Sequence, residues 1–252
     1  MTERHQTMAD LPEYTVRESR RAKRARLTVS PAGRVEVVIP RGFPRREVPA
    51  LVAANRQWLE RALERVRSRQ AQRPDLHGGL PERVHLPALE RAWEVEYAES
   101  VSGRARIREG DGRTLRVLAP DPPAARQALC AWLHRVAKAH LPPWLKAVGG
   151  QHGLEPARVT IRCQATRWGS CSSRGAISLN RNLLFLGADE VRYLFLHELA
   201  HTVHLNHSPE FWGLLARLEP EYRVLDQRLR GATGQVPAWA LPDRLLPAEF
   251  FA

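Results

Sequence analysis

The sequence predicts an α+β fold, and three observations predict it. Short runs that alternate apolar and polar residues, such as VEVVIP and ARVTIRC, have strand length. Longer segments, at about 45–70 and 124–148, repeat apolar residues at helical spacing. A third helical segment, VRYLFLHELAHTVHL, is apolar on nearly every side and so reads as buried.

In chain order, a basic run of Arg17, Arg20, Arg21, Lys23, Arg24 and Arg26 leads into RLTVS, PAGR and VEVVIP, which together read as a β-hairpin. A helix follows over 45–70, with Val48, Leu51, Val52, Trp58, Leu59, Leu63 and Val66 along one stripe. The stretch 71–82, with Pro74, Gly78, Gly79 and Pro81, is a loop. WEVEYA and ARIREGDGRTLRVL supply short strands, the latter turning at Asp111-Gly112. The helix over 124–148 should bend near Pro142-Pro143, because proline removes a donor and crowds the preceding turn. ARVTIRC is then a strand, ATRWGSCSSRG a polar loop and AISLNRNLLFL a second strand, whose edge could receive an extended peptide. After the buried helix, Ser208 can cap a helix with Pro209 in its first turn, and Pro220 can start another. The Gly- and Pro-rich tail beyond Arg230 reads as loose or laid on the surface. These readings divide the chain into an N-terminal region 1–123, a region 124–230 and a tail 231–252.

Length and composition are those of a globular protein of one or two domains: 252 residues, 43% hydrophobic and 26% charged. No stretch reaches the length of a membrane span, and the N-terminus lacks a signal-peptide core, so a cytoplasmic protein without a membrane partner is expected. Three cysteines, Cys130, Cys163 and Cys171, with no C-x-x-C pair, fit free thiols in a reducing compartment. The net charge is +12, carried almost wholly by arginine, since only Lys23, Lys138 and Lys146 are lysines. Residues 1–73 hold 17 cations against 8 acids, so most of the excess is N-terminal and permits a nucleic-acid partner there.

The chemistry lies in His197-Glu198-Leu199-Ala200-His201. Positions i and i+4 share one helix face, so both imidazoles can address one ion, while Glu198 lies about 100° round and can reach a water held by that ion. Two buried histidines and a glutamate left without partners would be costly, and a metal compensates all three. Residue types and spacing fit Zn²⁺. His204 lies about 10 Å along a continuing helix from His197, too far for a third ligand. If the helix ends near Leu205-Asn206, with Asn206 in a left-handed conformation, His207 swings back to the ion. Glu219 is the alternative third ligand, and Tyr222 a candidate for polarising a substrate carbonyl. Cys171 paired with a histidine would be a nucleophile, but that leaves Glu198 without a role.

Residues 161–212 resemble the YgjP-like metallopeptidase family and, more distantly, the SprT and WLM zinc proteases. The resemblance rests on Trp168-Gly169-Ser170-Cys171, Ile177 to Asn180, His197 to His201, and Asn206-His207-Ser208 with Phe211-Trp212. It implies a zincin-like core, meaning a small sheet plus the H-E-x-x-H helix, behind an N-terminal β-rich and helical region. It further implies zinc on His197, His201 and His207, Glu198 as catalytic base, and a peptide or protein substrate. A nucleoside triphosphate is the alternative substrate, with Arg167, Arg174, Arg181 and Arg192 available for phosphates. A nucleic-acid-associated protease or binding module is the second alternative.

Overall fold

The computed structural model describes residues 12–20, 22–30, 33–72, 79–164 and 166–242, with the side chains of 69–72 left aside. Arg21 of the basic run, the loop positions 73–78 and the tail beyond 242 lie outside the described residues. The chain forms two compact units, one within residues 1–77 and the other made by 78–242. That boundary falls in the 71–82 loop, so the strands over 83–119 share a unit with the H-E-x-x-H segment.

In the first unit the hairpin is present as β2 (Arg26–Val29) antiparallel to β3 (Val35–Pro40). The sequence reading missed β1 (Tyr14–Ser19), which runs parallel to β3 and makes it the central strand. Arg17 on β1 faces Glu36 on β3 and donates to both its carboxylate oxygens, at 2.8 and 3.0 Å. The expected helix over 45–70 is two, α1 (Val48–Ala54) and α2 (Arg56–Gln72), parted at Asn55, whose side-chain amide donates to Leu51 O. Val37, Ile39, Val52 and Leu59 close this unit's core.

The second unit holds two sheets. In the first, β4 (Arg83–Leu86), β5 (Arg91–Glu99), β7 (Thr114–Ala119) and β6 (Arg106–Glu109) stand in that order. β6 and β7 form the expected hairpin, with Gly112 at φ +77, a conformation a side chain would strain. Next comes α3 (Pro122–Gln151), capped by the Asp121 carboxylate and helical without interruption across Pro142-Pro143. Its buried face includes Leu129, Trp132, Leu133, Leu141 and Leu145; Trp132 meets Trp93 edge-on at 5.1 Å and donates to Glu109.

The second sheet is β8 (Arg158–Arg162), β10 (Ala176–Asn180) and β9 (Gly169–Cys171). Two expectations fail here. The Trp168 to Cys171 stretch is not wholly loop, because β9 pairs antiparallel with β10, and β10 is paired on both sides, so it has no free edge to offer. Ile177 and Leu179 of β10 are buried, and β9 lies against α4 (Ala188–Ala200), the predicted buried helix. α5 (Pro209–Leu218) and α6 (Tyr222–Gly231) complete the unit.

The tail as far as Pro242 is neither loose nor superficial. Ala238, Trp239, Ala240 and Leu241 are buried. The buried Arg126 donates to Trp239 O (3.0 Å) and Leu241 O (2.6 Å), and the buried Arg181 donates to Ala240 O (3.1 Å). Guanidinium groups recognise backbone carbonyls, which every sequence carries, so composition gave no sign of this docking.

Candidate metal centre

α4 delivers His197 and Glu198 from its last turn, and His201 follows as its C-cap residue. The helix therefore stops at Ala200, earlier than expected, with Thr202, Val203 and His204 closing tight turns onto Leu199 and Ala200. Asn206 is not left-handed: among the described residues only Glu90 is a non-glycine residue with positive φ. The early stop gives His207 a six-residue return, and it comes back to the face it was expected to reach.

One ring nitrogen from each of His197, His201 and His207 lies within 4.8 Å of the others. The His197 and His207 Nε2 atoms are 3.2 Å apart. Two metal–nitrogen bonds of about 2.05 Å at a tetrahedral angle span about 3.3 Å, so this pair fits shared coordination of one small ion. The His201 Nδ1 lies 3.0 Å from His204 O. A carbonyl only accepts, so Nδ1 carries the proton and the Nε2 lone pair is left for a ligand bond. His204 thus contributes its backbone, in keeping with its exclusion as a third ligand. The fully buried Phe211 of α5 backs all three rings, at 5.1, 4.5 and 4.9 Å.

Burial, aided by the neighbouring imidazoles, pushes His197 down to about 4, with Asp226 acting the other way. His201 is lowered for the same first reason. Both are neutral near pH 7, the form that binds metal.

Glu198 is 4% exposed, and its Oε2 has no hydrogen-bond partner among the described residues. Burial raises its carboxyl to about 7, against the opposing charge of Arg167. β9 explains how the carboxyl is seated. A Cβ on Gly169 would stand 2.5 Å from Glu198 Oε1 and 2.9 Å from its Cγ, so only glycine lets the strand cross so closely. Cys171, two residues on, has its thiol pushed up to about 11 by burial and by Glu198, which removes it as a nucleophile near neutral pH.

The other sequence candidates are committed elsewhere. Glu219 is ion-paired with Arg192 at 2.7 Å and takes no part in the histidine cluster. Tyr222 stacks on Trp212 (5.7 Å), which leans on His207 (5.6 Å), and its hydroxyl accepts from Arg223. Of the four arginines considered for phosphates, Arg181 is buried against backbone carbonyls and Arg192 holds Glu219. Missed altogether was a group behind His197, in which Tyr193 and Arg230 both donate to Asp226. Tyr193 precedes His197 by one turn and was legible as its neighbour, but nothing local marks Asp226.

Three imidazoles around one point, beside a buried carboxyl pushed up to about 7, are the kind of donor set and acid–base group that metal-dependent hydrolases use. The chain belongs to the YgjP-like family: the family model described as YgjP-like, metallopeptidase domain matches residues 23–232. Among solved structures, the metallopeptidase zymogen of Pyrococcus abyssi abylysin is similar at 26% identity, covering 36% of this chain and 92% of that one, with a TM-score of 0.33. No curated protein matches. The family match carries a peptidase function and nothing that points to a nucleotide or nucleic-acid partner. No described helix is long and apolar enough to cross a membrane.

Proposed function

We propose that this protein is a zinc metallopeptidase of the H-E-x-x-H type, with His197, His201 and His207 holding Zn²⁺, Glu198 as general base and residues 124–230 as the catalytic region of a zincin-like core. The observation that carries this reading is the convergence of the three imidazoles beside a buried carboxyl whose Oε2 is unengaged. When bound, zinc polarises the scissile carbonyl and brings water's pKa toward neutrality. Glu198 accepts the proton of the attacking water and passes it to the leaving amine nitrogen. A carboxyl poised near 7 serves both directions of transfer, since its two forms are similar in free energy there. β9, which ends its sheet and crosses Glu198, supports binding of an extended peptide along its outer side. The test is Glu198→Gln in zinc-loaded protein, assayed on a fluorescence-quenched peptide library: zinc content should stay at wild-type level while cleavage is lost. Undiminished cleavage would refute the assignment.

A further inference from the structure

Among the described residues, Arg167 stands at this site with no ion-pair partner. The other arginines nearby are taken: Arg192 by Glu219, Arg230 by Asp226 and Arg223 by the Tyr222 hydroxyl. The Arg167 side chain is exposed, yet the backbone that carries it is fixed. The side-chain amide of Asn180, 3% exposed, donates to Arg167 O (3.0 Å) and Gln164 O (2.8 Å), and Asn180 N donates to Trp168 O (2.8 Å). Trp168 in turn donates from its indole to Leu229 O (3.3 Å). Two residues beyond Arg167 comes Gly169, whose Cα abuts the Glu198 carboxyl, and the Arg167 charge acts on that carboxyl. An anchored stretch therefore carries a solvated guanidinium beside the general base.

We propose that Arg167 is a further catalytic residue, whose guanidinium binds the oxygen anion that develops on the scissile carbonyl. This rests on the peptidase reading above. The guanidinium is permanently charged and presents a planar fork of donors, so it supplies stabilisation that grows as the carbonyl oxygen gains charge. It gives up its hydration only when substrate covers it, which ties its effect to the reacting complex. It also accounts for the Trp168 and Asn180 motifs as the mount that fixes the backbone at Arg167, two residues from the glycine that abuts Glu198.

The experiment compares zinc-loaded wild type, Arg167→Ala, Arg167→Lys and Glu198→Gln on internally quenched peptides with either an amidated or a free C-terminus. Arg167→Ala should lower kcat about 100-fold or more, with KM and zinc content little changed and the same loss for both peptide series. Arg167→Lys should keep part of the activity, and added guanidinium ion should restore part of kcat to Arg167→Ala but none to Glu198→Gln. In a separate binding measurement, a phosphinic peptide, which presents a tetrahedral anion, should bind the Arg167→Ala protein at least tenfold more weakly than wild type. A kcat within twofold of wild type overturns the assignment and leaves the peptidase reading standing. So does a loss confined to KM and to peptides with a free carboxylate, which makes Arg167 a ground-state recognition group. Absence of any Glu198-dependent cleavage by the wild type overturns both.

Discussion

Replacing Glu198 with Gln should make the metal-free protein more stable at alkaline pH, and burial of the carboxyl sets the order of magnitude. The carboxyl is buried, one oxygen has no partner, and its pKa is raised from 4.5 to about 7, first by burial. The folded state therefore holds a proton that the unfolded state has released between pH 4.5 and 7, so stability falls as pH rises through this window. The gap of about 2.5 in pKa, at about 1.4 kcal/mol for each tenfold, makes ionisation above pH 7 cost up to about 3 kcal/mol. Gln fills the same space without ionising. Urea denaturation of chelator-treated protein at pH 8 should give a Glu198→Gln variant about 3 kcal/mol more stable than wild type, equal to about 6–12 °C in Tm for a domain of this size. At pH 5 the difference should shrink to about 1 kcal/mol or less, because the folded carboxyl is protonated there and costs little. His197, lowered to about 4, destabilises both proteins alike as pH falls from 6.5 and cancels from the comparison. Zinc should also reduce the gap, since a cation beside the carboxylate offsets its burial. Equal denaturation midpoints at pH 8 would refute the reasoning, for Glu198 would then not be carried as a strained acid.

Other expectations can be checked on the same protein. His207→Ala should lose bound zinc in a metal analysis, whereas Glu219→Ala should keep it and lose only the ion pair to Arg192. Gly169→Ala should cut kcat by about 100-fold, as a misplaced catalytic group does, because its Cβ displaces the Glu198 carboxyl; wild-type turnover in steady-state assays would mean that β9 can yield. Trp239→Ala should destabilise by about 3–5 kcal/mol in denaturant titration, since the ring is buried against Phe185 in the docked tail.

The histidine cluster was legible because its signals are local. His197 and His201 declare themselves by helical spacing, and Ser208-Pro209 marks a fresh helix that forces a turn at His207. The reading erred where partners are distant in sequence. Gly169-Ser170-Cys171 has no β propensity of its own, so β9 exists through its pairing with 177–179. Glu219 looked available because Arg192, its partner, lies 27 positions away. The tail composition suggests a loose end, yet two arginines from α3 and from the turn after β10 hold its carbonyls. The turn at 201–207 was right in outcome and wrong in its route, since the helix ended at Ala200 and needed no left-handed asparagine.

That tail has a consequence for how the protein comes into being. Arg126 and Arg181 are buried donors whose acceptors include the carbonyls of residues 239–241, which lie 59 to 115 positions further along the chain. Until those residues dock, the two guanidinium groups lack these acceptors and keep water in their place. Arg181 directly follows Asn180, the residue that anchors the strand across Glu198. Docking of the tail and closure of the interior next to β10 are thereby coupled, so a change at residues 239–241 should be felt in the strand that supports the candidate metal centre.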